Sequence, residues 1–302
     1  MKHLLGMKEV SATEIQEILD EAFRMKREVL QGSKKDSCLS GKSIITLFFE
    51  NSTRTRLSFE LASKYLGATA ANIAASGSSV AKGETLIDTA KTIDEMAADV
   101  IIIRHSSSGA PHLISNYTNA SIVNAGDGMN EHPTQALLDF MTMQEFKGGI
   151  KGLRVAIVGD VKHSRVARSN VYGLKKLGAD VVLAGPTTLM PAEAEQLGVP
   201  VYHDVDKAIQ GADVVMGLRI QLERQKKGLF PTVREYHKYF GVDERRMKLA
   251  AKDAILMHPG PVNRGVELSA DIIDGKQSVI GEQVTNGVCV RMAVLNLLAN
   301  HR

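Results

Sequence analysis

Apolar positions along the chain alternate between two rhythms. After Ser11, the residues Ile15, Ile18, Leu19, Ala22 and Phe23 recur at helical spacing, and Ser11 with Glu14 fits a capping box. That amphipathic helix should end before Gly32. Residues 43–49 form a short, β-rich apolar run that reads as a buried strand, and a helix over about 52–65 follows at once, stopped by Gly67. The spacing predicts a further helix over 85–98 and strands over 100–103 and 121–124. The second half repeats the rhythm: strand 154–158, helix 164–177, strand 181–184, a short helix 204–210, strands 214–216 and 254–257, and a strongly apolar helix from 284 to 298. Alternating strand and helix predicts an α/β fold of two domains, each with a mostly parallel sheet flanked by helices, joined by interdomain helices. The Gly-rich polar stretch 147–152 separates the two periodic halves.

Composition narrows the function classes. The chain has 302 residues, 44% hydrophobic and 24% charged, the profile of a soluble globular protein with room for two domains. A net charge of +3 demands neither nucleic acid nor a membrane as partner. Trp is absent and aromatics make up only 5%, which argues against a platform for stacked bases. Cys38 and Cys289 stand far apart, with no second Cys or His at metal-ligand spacing, so no metal site is expected and the thiols read as reduced. The first ten residues lack the apolar run of a signal peptide, and no stretch approaches the ~18 apolar residues of a membrane span. A cytoplasmic protein is expected.

Chemistry gathers where strands end. Residues Ser52, Thr53, Arg54, Thr55 and Arg56 lie between a strand and a helix start. A helix N-terminus offers N–H donors and a partial positive charge, and cations there oppose the macrodipole by roughly 0.3–1 kcal/mol each. An anion at that place, a phosphate above all, makes sense of the two arginines; otherwise Ser52 or Thr53 is a simple cap and the arginines are solvated. The Walker A pattern is absent, so ATP and GTP are not indicated. Arg104 directly follows the strand 100–103, either at a ligand edge of the sheet or facing water. His132 and Gln135 precede an apolar helix, where His132 or Thr134 could equally serve as a cap. Gly159 and Asp160 follow another strand, but the Gly-x-Gly-x-x-Gly fingerprint of a dinucleotide site is missing, and the cations Lys162, His163, Arg165 and Arg168 again suggest an anionic ligand. Arg219 and Gln221 follow the strand 214–216. His258–Pro259–Gly260–Pro261 is a stiff turn after the strand 254–257.

These clusters, in this order and over nearly the whole chain, resemble the aspartate/ornithine carbamoyltransferase family. The resemblance implies that Ser52, Thr53, Arg54 and Thr55 hold the phosphate of carbamoyl phosphate and its bridging oxygen. It implies that Arg104 touches both carbonyl oxygen and phosphate, that His132 donates to the carbonyl oxygen, and that Gln135 meets the amide nitrogen. Gly260 and Pro261, the latter expected after a cis bond, would present carbonyls to the amide hydrogens. Ser78 (or its neighbour Ser79) and Lys82 match residues that reach into a neighbouring subunit's site, Lys82 also reaching the acceptor. Arg165, with Glu50 as its carboxylate partner, together with Arg219 and Gln221, would bind the carboxylates of the acceptor. Val166 departs from members that have a hydroxyl beside that arginine. The implied domains are a carbamoyl-phosphate-binding domain over 1–133, completed by the C-terminal helix 284–302, and an aspartate-binding domain over 134–283. Ornithine-specific members carry His-Cys-Leu-Pro where this chain has His258–Pro261, so the likeness is to the aspartate branch.

The expected reaction is direct attack of the aspartate α-amine on the carbamoyl carbon, with Arg54, Thr55, Arg104 and His132 as the catalytic set and no metal or organic cofactor. The implied assembly is a homotrimer with shared sites, and regulatory chains are a partner on which the sequence is silent. Three rivals remain: the same chemistry on ornithine, N-acetylornithine or another amine; a non-catalytic scaffold of this fold, marked by loss of Arg54, Arg104 or His132; and a nicotinamide enzyme.

Overall fold

The capping box at Ser11 forms as the sequence predicts and starts α1 (Ala12–Leu30) in the computed structural model of the chain, with Glu14 N–H bonded to the Ser11 hydroxyl and Ile15, Ile18, Leu19, Ala22 and Met25 buried. Residues 1–32, 36–74, 83–192, 194–221 and 232–301 are described. They form two compact units. One comprises Met1–Met141 and Thr285–Arg302, the other Thr142–Val284.

In the first unit β1 (Ser43–Phe48) leads into α2 (Thr53–Tyr65) and β2 (Thr69–Ala74), then α3 (Leu86–Glu95), β3 (Val100–His105), α4 (Ala110–Ser115), β4 (Ser121–Asp127) and the start of α5 (Pro133–Lys147). The sheet runs β2-β1-β3-β4 with every pair parallel. Parallel strands covered on both faces should be apolar throughout. Val100–Ile103 has no exposed surface, and all seven residues of β4 are buried. Leu47, Ile101, Ile103 and Ile122 pack with Ala90, Ile93 and Ile114 from the helices.

The second unit continues with β5 (Arg154–Val158), α6 (Arg165–Lys176), β6 (Asp180–Ala184), β7 (Val201–Tyr202), α7 (Val205–Ile209), β8 (Val214–Gly217), α8 (Val233–Phe240), α9 (Glu244–Met247), β9 (Ile255–Met257), α10 (Ala270–Ile273) and the start of α11 (Ile280–Ala299). Its sheet, β7-β6-β5-β8-β9, is again parallel throughout. Ala156, Val158, Val182, Val215 and Leu256 line its core. The units divide within α5 and within α11, so the chain passes from one to the other along two helices, as the sequence led us to expect.

Several elements escaped the sequence pattern. Strand β2 reads Thr-Ala-Ala-Asn-Ile-Ala, with little β-propensity, and it forms by pairing along its whole length with β1. Helix α4 and strand β7 are too short to show a period. Helix α8 has a good cap, Thr232, yet its one fully buried side chain is Tyr236. Helix α3 stops at Glu95, short of the predicted 98, and α11 starts four residues before the predicted 284. No described helix is long and apolar enough to cross a membrane.

Candidate active site

In an open parallel sheet, ligands sit outside the carboxyl ends of strands where the strand order reverses. In the first unit that reversal lies between β1 and β3, because β2 follows β1 on one side and β3 takes the other. Phe48 and Arg104 are partners in register across this pair, so the α2 start and Arg104 emerge at the same edge. Ser52 sits in extended backbone ahead of α2, with no side-chain cap bond and no acidic residue in the first turn. By contrast, Ser11, Thr85 and Ser164 each cap their helix through a side-chain oxygen. Thr53 and Arg54 are exposed and Thr55 is buried. The start of α2 thus combines N–H groups that lack a side-chain cap with hydroxyls and a guanidinium, a combination suited to an oxyanion.

Arg104 is held from two sides. Its Nε lies 3.2 Å from Glu50 Oε2, with the side chains 14% and 18% exposed, and its Nη1 lies 3.5 Å from the Ala125 carbonyl. Glu50 thus places a carboxylate beside Arg104. The pairing of β3 with β4 shifts register between Ile103 and His105, an irregularity beside the site.

His132 and Gln135 stand at the start of α5, both buried. The loop before them is fixed by buried acids. Asp127 accepts from Asn124 Nδ2 (2.8 Å), Gly109 N–H (2.7 Å), Asn130 Nδ2 (3.0 Å) and Glu131 N–H (3.1 Å). Glu131 in turn accepts the N–H groups of Met7 (2.6 Å) and Lys8 (3.2 Å). Gln135 donates its Nε2 to Asp139 Oδ1 at 3.0 Å.

In the second unit the strand order reverses between β5 and β8, and Val158 is in register with Gly217. Gly159 follows β5 at φ +133°, and a Cβ there would meet Leu218 Cβ at 3.1 Å, so glycine lets the two strand ends close together. Asp160, fully buried, accepts from His163 N–H at 3.2 Å and lies 2.9 Å from His163 Nδ1. Ser164 caps α6, accepting from Ala167 N–H at 3.1 Å, and Arg165 is its first residue, only 5% exposed. Arg219 and Gln221, partly buried, leave the end of β8 two and four residues beyond Gly217. The turn after β9 has a cis Gly260–Pro261 bond. His258 anchors it: its N–H donates to Gln283 Oε1 (2.9 Å), its Nδ1 accepts from Gly260 N–H (2.9 Å), and its Nε2 lies 3.2 Å from the buried Glu267.

The structure therefore gathers Ser52–Thr55, Arg104, His132 and Gln135 in one unit and Arg165, Arg219, Gln221, Gly260 and Pro261 in the other, all near carboxyl ends of strands or the helix starts after them. Ser78 and Lys82 lie outside the described residues. The supports Asn124, Asp127, Asp139, Glu267 and Arg291 were not singled out from sequence. The available signal was a charge inside an apolar run, Asp139 within 136–140 and Arg291 within 288–298.

Each of the two parallel α/β units carries arginines at its strand-order reversal, an arrangement suited to anionic ligands. Known proteins sharpen this. Residues 2–145 match the family model for the carbamoyl-P binding domain of aspartate/ornithine carbamoyltransferase, and residues 151–298 match its Asp/Orn binding domain. The aspartate carbamoyltransferase catalytic subunit of Ruminiclostridium cellulolyticum is 67% identical over 297 residues, covering 98% of this chain and 95% of that one. Aspartate transcarbamoylase from Trypanosoma cruzi, solved with carbamoyl aspartate and phosphate, matches with a TM-score of 0.88 at 32% identity, covering 98% of this chain and 95% of that one. Ornithine carbamoyltransferase from Pyrococcus furiosus matches with a TM-score of 0.89 at 33% identity, covering 100% and 98%. The chain belongs to the aspartate/ornithine carbamoyltransferase family. Fold likeness alone does not separate the two acceptors, since both kinds of relative superpose equally well.

Proposed function

We propose that this chain transfers the carbamoyl group of carbamoyl phosphate to the α-amine of L-aspartate, giving N-carbamoyl-L-aspartate and phosphate. The observation that carries the reading is the start of α2 beside Arg104, at the β1/β3 reversal, without a side-chain cap or an acidic residue. The choice of aspartate rests on His258–Pro261, which lacks the cysteine of the ornithine-specific pattern, and on the 67% identity to an aspartate carbamoyltransferase catalytic subunit.

In this reading the first unit, with the C-terminal part of α11, is the carbamoyl-phosphate-binding domain and the second is the aspartate-binding domain. Ser52, Thr53, Arg54 and Thr55 hold the phosphate. The amine lone pair forms the new C–N bond, negative charge grows on the carbonyl oxygen, and Thr55, Arg104 and His132 stabilise it. One such donor is commonly worth about 100-fold or more in rate. Gln135 and the Gly260–Pro261 carbonyls engage the amide. As the C–O bond to phosphate breaks, the leaving phosphate takes the amine proton, so the step needs no protein base. Arg165, Arg219 and Gln221 bind the two carboxylates of aspartate; paired guanidinium–carboxylate contacts supply charge and geometry together. Ser78 and Lys82 come from a neighbouring copy, which makes the working unit an oligomer, by the family resemblance a homotrimer, with separate regulatory chains a further partner to be sought. The product belongs to an early step of pyrimidine biosynthesis. Two unbridged thiols, Cys38 and Cys289, suit the cytoplasm as its compartment.

The test is ureido-product formation from carbamoyl phosphate with aspartate, ornithine and N-acetylornithine offered in turn. Turnover with aspartate alone is expected; turnover with ornithine and none with aspartate overturns the acceptor assignment.

A further inference from the structure

Two buried charged side chains, Asp139 and Arg291, lie behind Gln135, and one of them bonds to it. Asp139, with no exposed surface, lies one turn below Gln135 on α5 and accepts from its Nε2 at 3.0 Å. The guanidinium of Arg291 on α11 is close enough to act on the Asp139 charge. Arg291 is 4% exposed, donates Nη1 to Ser58 Oγ (3.0 Å) and to the Gly287 carbonyl (2.9 Å), and stacks 5.1 Å from the Phe59 ring. Ser58 and Phe59 belong to α2, the helix whose start is the proposed phosphate site. Glycine at 287 makes room for this arginine, since a Cβ there would meet Nη1 at 2.7 Å and Leu138 Cδ2 at 3.2 Å. Burial pushes the guanidinium down to about 10, opposed by Asp139, so it stays charged at neutral pH.

We propose that Asp139 fixes the Gln135 side-chain amide with its carbonyl oxygen towards the acyl group, and so makes the site selective for an acyl phosphate that carries N–H over one that carries a methyl. The inference rests on the carbamoyl-transfer reading of the same site. A side-chain amide has one donor end and one acceptor end. Asp139 Oδ1 takes the NH2 end of Gln135 and leaves Oε1 as the end that can meet substrate. An acceptor there suits the amide hydrogens of a carbamoyl group. It offers nothing to the methyl of acetyl phosphate, which has the same phosphate and nearly the same shape. Asp139 is thus a positioning residue for selectivity, acting through Gln135.

Asp139→Asn gives Gln135 an amide in place of a carboxylate, so either end of Gln135 can be held. The share of Gln135 that presents NH2 to the substrate amide, donor against donor, then rises. The paired change Asp139→Leu/Arg291→Met removes both buried charges at similar volume, a replacement that proteins often tolerate. It leaves Gln135 without a fixed orientation.

The experiment measures, on the full-length chain, the affinities of parent, Asp139→Asn and Asp139→Leu/Arg291→Met for carbamoyl phosphate, acetyl phosphate and inorganic phosphate, alongside turnover with aspartate. The expected result is a fall of about ten-fold in the carbamoyl-to-acetyl affinity ratio, the scale of one hydrogen bond, with phosphate affinity unchanged. The double variant reads the same ratio where the single change costs the fold. A ratio that stays at the parent value overturns the proposal. So does a parallel weakening of all three ligands, which marks a purely structural role. A parent that turns over carbamoyl phosphate while the variants keep its ratio refutes this inference and leaves the functional reading standing; an inactive parent refutes both.

Discussion

Replacing Arg104 by Met separates what this arginine does for the fold from what it does for the reaction. Methionine keeps an apolar stem of similar length and removes the charge. Arg104 Nε lies 3.2 Å from Glu50 Oε2, with the two side chains 14% and 18% exposed. Breaking a fully buried pair from one side costs about 3–5 kcal/mol, and an exposed pair is worth at most about 1 kcal/mol. This partly buried pair falls between, so a stability loss of about 1–2 kcal/mol is expected. The transition-state loss should be larger, about 3–4 kcal/mol, or roughly a 100- to 1,000-fold fall in kcat, because a charged donor to the developing oxyanion is gone. Initial rates of ureido formation, with carbamoyl phosphate varied at saturating aspartate, give kcat and KM; thermal unfolding midpoints give stability. Adding Glu50→Gln removes the opposing carboxylate charge and should leave the rate low. A single variant whose kcat stays within about three-fold of the parent, or a double variant that regains the rate, refutes the reasoning.

Arg219→Ala should raise the KM for aspartate about 10- to 100-fold, the worth of a hydrogen-bonded charge, with little change in the KM for carbamoyl phosphate; equal effects on both constants contradict its role as an acceptor contact. Asp206 is held at about 2, below its ordinary 3.8, chiefly by its hydrogen bonds from Arg245 and then from Arg246. A depressed carboxylate stabilises the fold above its unfolded value, and that contribution fades as the pH falls from near 4 towards 2. Asp206→Asn should therefore melt lower than the parent at pH 7, by a margin kept small because the side chain is 37% exposed, and the gap should close as the pH nears 2; a constant gap sinks the assignment. Mixing a Lys82→Ala chain with an Arg54→Ala chain should restore activity in hybrid oligomers through sites that carry neither change, and no recovery speaks against shared sites.

Much of the fold was legible because its helices carry caps and periodic faces and its central strands are continuous apolar runs. Ser11 with Glu14 fixed the start of α1 to the residue, and Val100–Ile103 could only be a strand buried on both sides. Strand β2 stayed hidden because its alanines carry no strand preference of their own, and only pairing with β1 makes it one. The candidate clusters at the strand ends were legible because each combines polar and cationic residues directly after an apolar run, an arrangement that costs stability unless a ligand uses it. Their supports were not. Asp127 accepts from Gly109 18 positions away, and Arg291 reaches Ser58 across 233 positions of sequence. Such partnerships exist only once the strands and helices have been brought together.

The central claim is that the reversal between β1 and β3 grips carbamoyl phosphate. The most direct measurement is the crystal structure of the chain grown with that compound. Phosphate oxygens against Ser52, Thr53, Arg54 and Thr55, with the carbonyl oxygen within hydrogen-bond reach of Arg104 and His132, is the predicted result. Carbamoyl phosphate bound elsewhere, with Arg54 and Arg104 turned to bulk water, contradicts it.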